Sequence, residues 1–175
     1  MEKTESKIIW TVGHSTRTIE EFIGLLQTFQ IKLLVDIRSY PGSKRYPQFN
    51  KENLATSLRS ADIDYTHMPT LGGRRKPLPA SMNTNWQNKA FRGYADYMQT
   101  DEFKNGIQEL EQLALKQRTA YMCAEALWWR CHRSLVSDYL KDRGWNVIHI
   151  MSSTKSEEHP YTTVARNRQG NLFTD

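Results

Sequence analysis

Cysteine is scarce in this chain: its 175 residues contain two, Cys123 and Cys131. A secreted disulfide scaffold needs a larger framework, so a reducing compartment is expected. Long hydrophobic runs are also missing. IKLLVDI at 31–37 falls far short of the roughly 20 apolar residues that cross a bilayer. The polar lead MEKTESK has no signal-peptide core. These absences point to a soluble, cytoplasmic protein with no membrane partner. No G-x-G-x-x-G or G-K-[ST] run is present, which removes the usual phosphate-loop signatures. The C-x7-C spacing of the two cysteines is not a zinc knuckle, so no metal is expected even with His132 beside Cys131. No repeat or low-complexity tract interrupts the chain.

What is present suits one domain over residues 8–175 behind a polar lead, 1–7. A hydrophobic content of 38% supplies a core at this length. Formal charge is +5, from 24 Lys and Arg against 19 Asp and Glu, which favours a polyanionic partner without requiring one.

Patterning then orders the elements. IIWTV at 8–12 predicts a buried strand, and Gly13-His14-Ser15 a turn. Thr18 and Glu21 form a capping box for a helix whose one face carries Ile19, Phe22, Ile23, Leu26 and Phe29. A second strand spans Lys32–Ile37, a helix capped by Asn50 runs to about Ser60, and IDYTHM at 63–68 alternates as a third strand. Residues 69–92 show no apolar period and predict a long functional or mobile loop. A helix over 101–117, the strand TAYMC, a helix marked by Cys131, Leu135 and Tyr139, and the strand NVIHI follow. The tail from His159 suggests a short hairpin. The order implies a single Rossmann-like α/β domain with a mostly parallel sheet of five or slightly more strands, flanked by helices.

In such a sheet, ligands bind beyond the carboxyl ends of the strands, where strand order reverses. With an order 3-2-1-4-5, His14, Asp36, the loop after residue 69 and Cys123-Ala124-Glu125 converge on one rim. Glu125 and Asp36 then form a carboxylate pair suited to acid/base work or to stabilising a cationic sugar. His14 is a candidate base or phosphate contact. Cys123, at a strand end near a helix start, is a candidate thiolate nucleophile, while Cys131 reads as core. For binding, the rings of Tyr40, Tyr46 and Phe49 interleave with Arg38, Lys44 and Arg45, an arrangement that offers cations to phosphate and rings to bases. Gly72-Gly73-Arg74-Arg75-Lys76 adds a basic loop, Arg133 a further cation, and one of Trp128 and Trp129 a stacking platform, assigned to Trp128. His67, His149 and His159 read as structural.

The stretches TVGHSTRTIEEF, LLVDIRSYPGSKRYPQFN, the LGG loop, and C-A-E-x5-C-H-R followed by GWNVIHI resemble the domain-of-unknown-function 488 family across about residues 8–150. The resemblance implies an α/β domain and marks Gly13, His14, Ser15, Asp36, Arg38, Pro41, Ser43, Gly72, Gly73, Cys123, Glu125, Cys131, His132 and Arg133 as motif positions, with no assigned activity. The expected function is therefore argued from the rim: an enzyme acting on a nucleotide or nucleic acid, hydrolysing or transferring at an N-glycosidic bond through Glu125, with no cofactor. The alternatives are a non-catalytic nucleic-acid or protein interaction module and a cysteine-thiolate enzyme.

Overall fold

The structure, a computed structural model, describes residues 6–167. Six strands form one sheet: β1 (Ile8–Gly13), β2 (Leu33–Asp36), β3 (Asp64–His67), β4 (Thr119–Cys123), β5 (Asn146–Ile150) and β6 (Ser156–Glu158). Their spatial order is β3-β2-β4-β1-β5-β6, parallel except for the antiparallel edge strand β6. The helices are α1 (Ile19–Thr28), α2 (Lys51–Ser60), α3 (Lys89–Tyr97), α4 (Asp101–Lys116), α5 (Arg133–Asp142) and α6 (Thr163–Asn167).

The strand order corrects one expectation: β4 lies between β1 and β2 rather than outside β1. The chain steps from β1 through β2 to β3 in one direction along the sheet, then returns through β4 to β5 in the other. With crossovers of one hand, opposite directions put the connecting helices on opposite faces. The core shows this. Trp10, Val12, Leu34 and Met122 pack with residues of α1 and α2, whereas Ile9, Leu33, Val35 and Tyr121 pack with α3, α4 and α5. Alternate residues of each strand thus serve alternate layers. The loops after β1 and β2 leave toward one face and the loop after β4 toward the other, so a reversal flanks β4 on both sides.

Local signals account for most boundaries. Thr18 and Glu21 make both bonds of the capping box at the start of α1. Asn50 precedes α2 but its side chain accepts Ser43 N–H instead of a helical amide, which ties the loop after β2 to the helix. Helix α3 begins inside the stretch 69–92 expected as a loop. The helix has only nine residues, and its apolar positions Phe91, Tyr94, Ala95 and Tyr97 follow a long stretch without apolar period, so the short repeat does not stand out from the loop before it. Gly93 abuts the Arg75 carbonyl, where a Cβ would approach to 2.0 Å. Buried Asp96 accepts from Leu78 N, Ser81 Oγ and Asn83 Nδ2, which pins the segment 69–88 to the domain. The three-residue β6 is polar, and α6 occupies part of the tail expected as a hairpin; residues 168–175 of that tail lie outside the described residues. Among the described residues no helix is long and apolar enough to cross a membrane.

Candidate functional site at the strand carboxyl ends

Parallel register places Gly13 beside Cys123 and Asp36 beside both Met122 and His67, so the rim predicted from the motifs is one physical edge. A Cβ at Gly13 would lie 1.7 Å from the Glu125 carbonyl oxygen. Only glycine lets the loop after β4 cross the end of β1 this closely. Two buried polar clusters flank this crossing, one on each face of the sheet.

The first cluster, on the α1/α2 face, is built around Asp36, which is fully buried. Its Oδ1 accepts from Arg38 N–H at 3.1 Å and Arg38 Nε at 2.9 Å, and its Oδ2 accepts from Arg38 Nη2 at 2.7 Å and the Tyr65 hydroxyl at 2.6 Å. Burial and this carboxylate push the Tyr65 hydroxyl well above its ordinary value, so it stays a donor. Arg38 also donates to the Phe49 carbonyl and meets His14 Nε2 at 3.3 Å through Nη1. His14 stacks on Phe49 with centroids 4.2 Å apart. The Ser15 carbonyl, 2.8 Å from His14 Nδ1, can only accept, so Nδ1 carries the proton and Nε2 presents a lone pair to Arg38. Burial, with Arg38 adding to it, lowers the His14 pKa to about 4, which keeps the ring neutral. Asp36 is therefore not a second free carboxylate and His14 is not a free base. Both hold Arg38, which is itself 9% exposed and has every guanidinium nitrogen bonded inside the cluster.

The second cluster, on the α5 face, contains the sulfurs. Cys123 ends β4 and is buried; Cys131 precedes α5 and is partly exposed. Their sulfurs are 2.8 Å apart. Arg133, 1% exposed, donates to Thr11 Oγ1 and to the carbonyls of Glu125 and Ala126, so it fastens the loop after β4 from inside and cannot reach a phosphate at the surface. From Thr11 a chain of buried bonds runs through His149 Nδ1 at 2.6 Å, then His149 Nε2 to His159 Nδ1 at 2.8 Å, then His159 Nε2 to Asp138 at 2.7 Å. Arg133 can only donate and the Asp138 carboxylate accepts, so neutral rings at both histidines satisfy every link in one direction. Burial, with the Arg133 charge adding to it, lowers the His149 pKa to about 2.

The remaining sequence candidates divide by exposure. Trp128 is 8% exposed, stacks on His149 with centroids 4.6 Å apart and donates to Glu157, so it is core; Trp129, at 47%, is the exposed ring of the pair. His132 donates from Nε2 to the Ile37 carbonyl, and burial lowers its pKa to about 4. Gly72 and Gly73 are close-approach positions, against Ser39 and His132 respectively, and not a phosphate cradle. Ser43 Oγ accepts from Arg45 N and Tyr46 N inside its own turn, and Ser15 holds a positive φ of 52° at the turn after β1. On the surface of the same rim stand Tyr40, 75% exposed, with the Arg74 guanidinium 5.6 Å from its ring centroid, and exposed Lys44 and Arg45. Glu125 is exposed, and no donor among the described residues reaches its carboxylate. Arg130 is exposed next to Trp129 in the chain; nothing in the order WWRCHR tells which ring and which arginine turn outward. Among the described residues no three His, Cys, Asp or Glu side chains converge as metal ligands.

No curated protein and no solved structure matches the chain. Residues 18–140 match the family described as Domain of unknown function DUF488, a span that begins after β1 and its turn and closes within α5. That match, over most of the chain and containing Asp36-Ile37-Arg38, the Gly72-Gly73 loop and Cys123 through Arg133, makes this protein a member of the DUF488 family.

Proposed function

We propose that the rim binds a nucleotide or nucleic acid and that the protein is an enzyme cleaving or transferring at an N-glycosidic bond, with Glu125 as its reacting carboxylate. The observation that carries the reading is the exposed Tyr40 ring, with Arg74 over it and Lys44 and Arg45 in the same loop, at the strand ends where α/β sheets bind ligands. A base stacks on the ring and the cations meet phosphate. Asp36, His14 and Arg38 act beneath this surface, setting the path of the loop that carries Tyr40. When the glycosidic bond breaks, its electron pair leaves with the base and the sugar becomes cationic. An ionised carboxylate at Glu125 stabilises that charge until water, or another acceptor hydroxyl, forms the new bond to the sugar, and the proton it loses neutralises the departed base.

Two measurements test this. Oligonucleotide affinity should fall with salt, with a log–log slope of roughly −2 to −3 if Lys44, Arg45 and Arg74 each neutralise one phosphate. Salt-insensitive or absent binding refutes the site. A panel of oligonucleotides with modified bases should then show base release that Glu125→Gln lowers by orders of magnitude at unchanged affinity. Binding with no release from any substrate would leave a non-catalytic nucleic-acid module.

A further inference from the structure

The cluster on the α5 face holds a fully buried cation for which no carboxylate partner exists among the described residues. Arg133 donates only to a hydroxyl and two carbonyls, and its Nε meets no acceptor. A buried guanidinium needs a compensating anion. The group placed to supply it is Cys131. Its sulfur accepts the Arg133 backbone N–H at 3.4 Å, at the first turn of α5, where the helix dipole also favours negative charge. It lies 2.8 Å from Cys123, whose sulfur also contacts the Glu125 carbonyl at 3.6 Å. The hydrogen bond from Cys123, with Arg133 adding to it, lowers the Cys131 pKa to about 7 against the opposing effect of burial. Burial pushes Cys123 well above the ordinary thiol value. Of the two sulfurs, Cys131 on the partly open side is therefore the one set to carry the thiolate, and buried Cys123 the one set to keep its proton. This reverses the roles expected from sequence, where Cys123 was the nucleophile.

We infer that Cys131 and Cys123 form a redox-active dithiol whose substrate is a small hydroperoxide, with Cys131 attacking and Cys123 resolving. The inference stands on the sulfur pair and Arg133, independently of the Glu125 reading. The Cys131 thiolate attacks the terminal oxygen of the hydroperoxide; an S–O bond forms, the O–O bond breaks, and the departing alkoxide takes a proton to leave as alcohol, or as water when the substrate is hydrogen peroxide. Cys131 is now a sulfenic acid. Cys123 then attacks the Cys131 sulfur: an S–S bond forms, the S–O bond breaks, and hydroxide leaves as water with the Cys123 proton. Two thiols are oxidised to one disulfide, and one hydroperoxide is reduced to alcohol and water. A separation of eight residues and adjacent sulfurs let the second step proceed without rearranging the sheet.

Because the chain has only these two cysteines, an intramolecular bridge is unambiguous. Reduced protein given one equivalent of hydrogen peroxide should lose the mass of two hydrogens and regain it with a reductant. Cys123→Ser should stop at a sulfenic acid on Cys131 that dimedone traps, and Cys131→Ser should form neither product. Limiting iodoacetamide on the unmodified protein supplies a readout that no variant can confound: at neutral pH Cys131 should be labelled on the order of tenfold faster than Cys123, from its larger thiolate fraction. Absence of the bridge in the wild-type protein, or Cys123 labelled first, overturns the inference. Neither measurement involves a nucleotide, so its failure leaves the Glu125 reading untouched.

Discussion

Replacing Asp36 with Asn separates a positioning carboxylate from a reacting one. The side chains of Asp36 and Arg38 are 0% and 10% exposed, and the carboxylate accepts four bonds, three from Arg38 and one from Tyr65. Asn keeps the shape but removes the charge and turns one oxygen into a donor among donors. Breaking a buried pair from one side leaves a desolvated charge, so Asp36→Asn should cost about 3–5 kcal/mol. Tyr65→Phe removes a single bond to a charged group and should cost roughly 1.5–3 kcal/mol. The double variant Asp36→Asn/Arg38→Met, with no buried charge left at this pair, should be less destabilised than Asp36→Asn alone. Urea unfolding, followed by tryptophan fluorescence and circular dichroism, reads these differences as shifts in midpoint at constant slope. A change below about 1 kcal/mol for Asp36→Asn would refute the account of the cluster. Unchanged stability together with lost base release would make Asp36 a reacting group instead.

Acid should destabilise the protein through its buried histidines. His14 and His149 have folded pKa values of about 4 and about 2, below the unfolded 6.5. Between these values the unfolded chain binds more protons than the folded one, so stability rises with pH there, is fully present above about pH 6.5 and is lost on acidification. By about pH 5 each ring should have removed roughly 2 kcal/mol, measurable as a falling urea midpoint, and a flat profile between pH 7 and 5 would contradict the neutral-ring assignment. Gly13→Ala should prevent folding or release the loop after β4, because the contact it creates is with backbone. Gly24→Ala, in the middle of α1 with no atom within 4 Å of the new Cβ, should be neutral or stabilising by about 0.5–1 kcal/mol; thermal melts of the pair check both signs.

Much of the layered fold is legible in periodicity and caps. The Thr18 capping box, the apolar strands and the rim formed by Gly13, Asp36 and Cys123 all follow from local patterns. Strand order does not, because no local property of TAYMC says which neighbour it joins; β4 enters between β1 and β2 through tertiary packing alone. The site was harder to read for a related reason. Residue type shows that Asp36, His14 and Arg133 are capable of chemistry, but only burial shows that their polar atoms are already engaged. Trp128 and Trp129 are indistinguishable in sequence, and a turn of the chain before α5 puts one against His149 and the other in solvent. Cys131 reads as core from its spacing with Leu135, yet it sits one residue ahead of the helix cap, where the peptide N–H of Arg133 reaches its sulfur.

The directed chain from Arg133 through Thr11, His149 and His159 to Asp138 has a consequence for where this protein can be cut. It joins β1, α5, β5 and the segment after β6, and Thr162 adds two further bonds to Asp138. A fragment trimmed to the matched family segment, 18–140, would lack Thr11 from the centre of the sheet and both histidines from its far side. Such a fragment takes Thr11 from Arg133 and strips Asp138 of His159 and Thr162, and trimming after β5 alone still removes His159 and Thr162 from Asp138. The smallest piece able to fold by itself therefore reaches from β1 to at least Thr162, and the segment from His159 to Thr162 past β6 is part of the folding unit rather than an appendage to it.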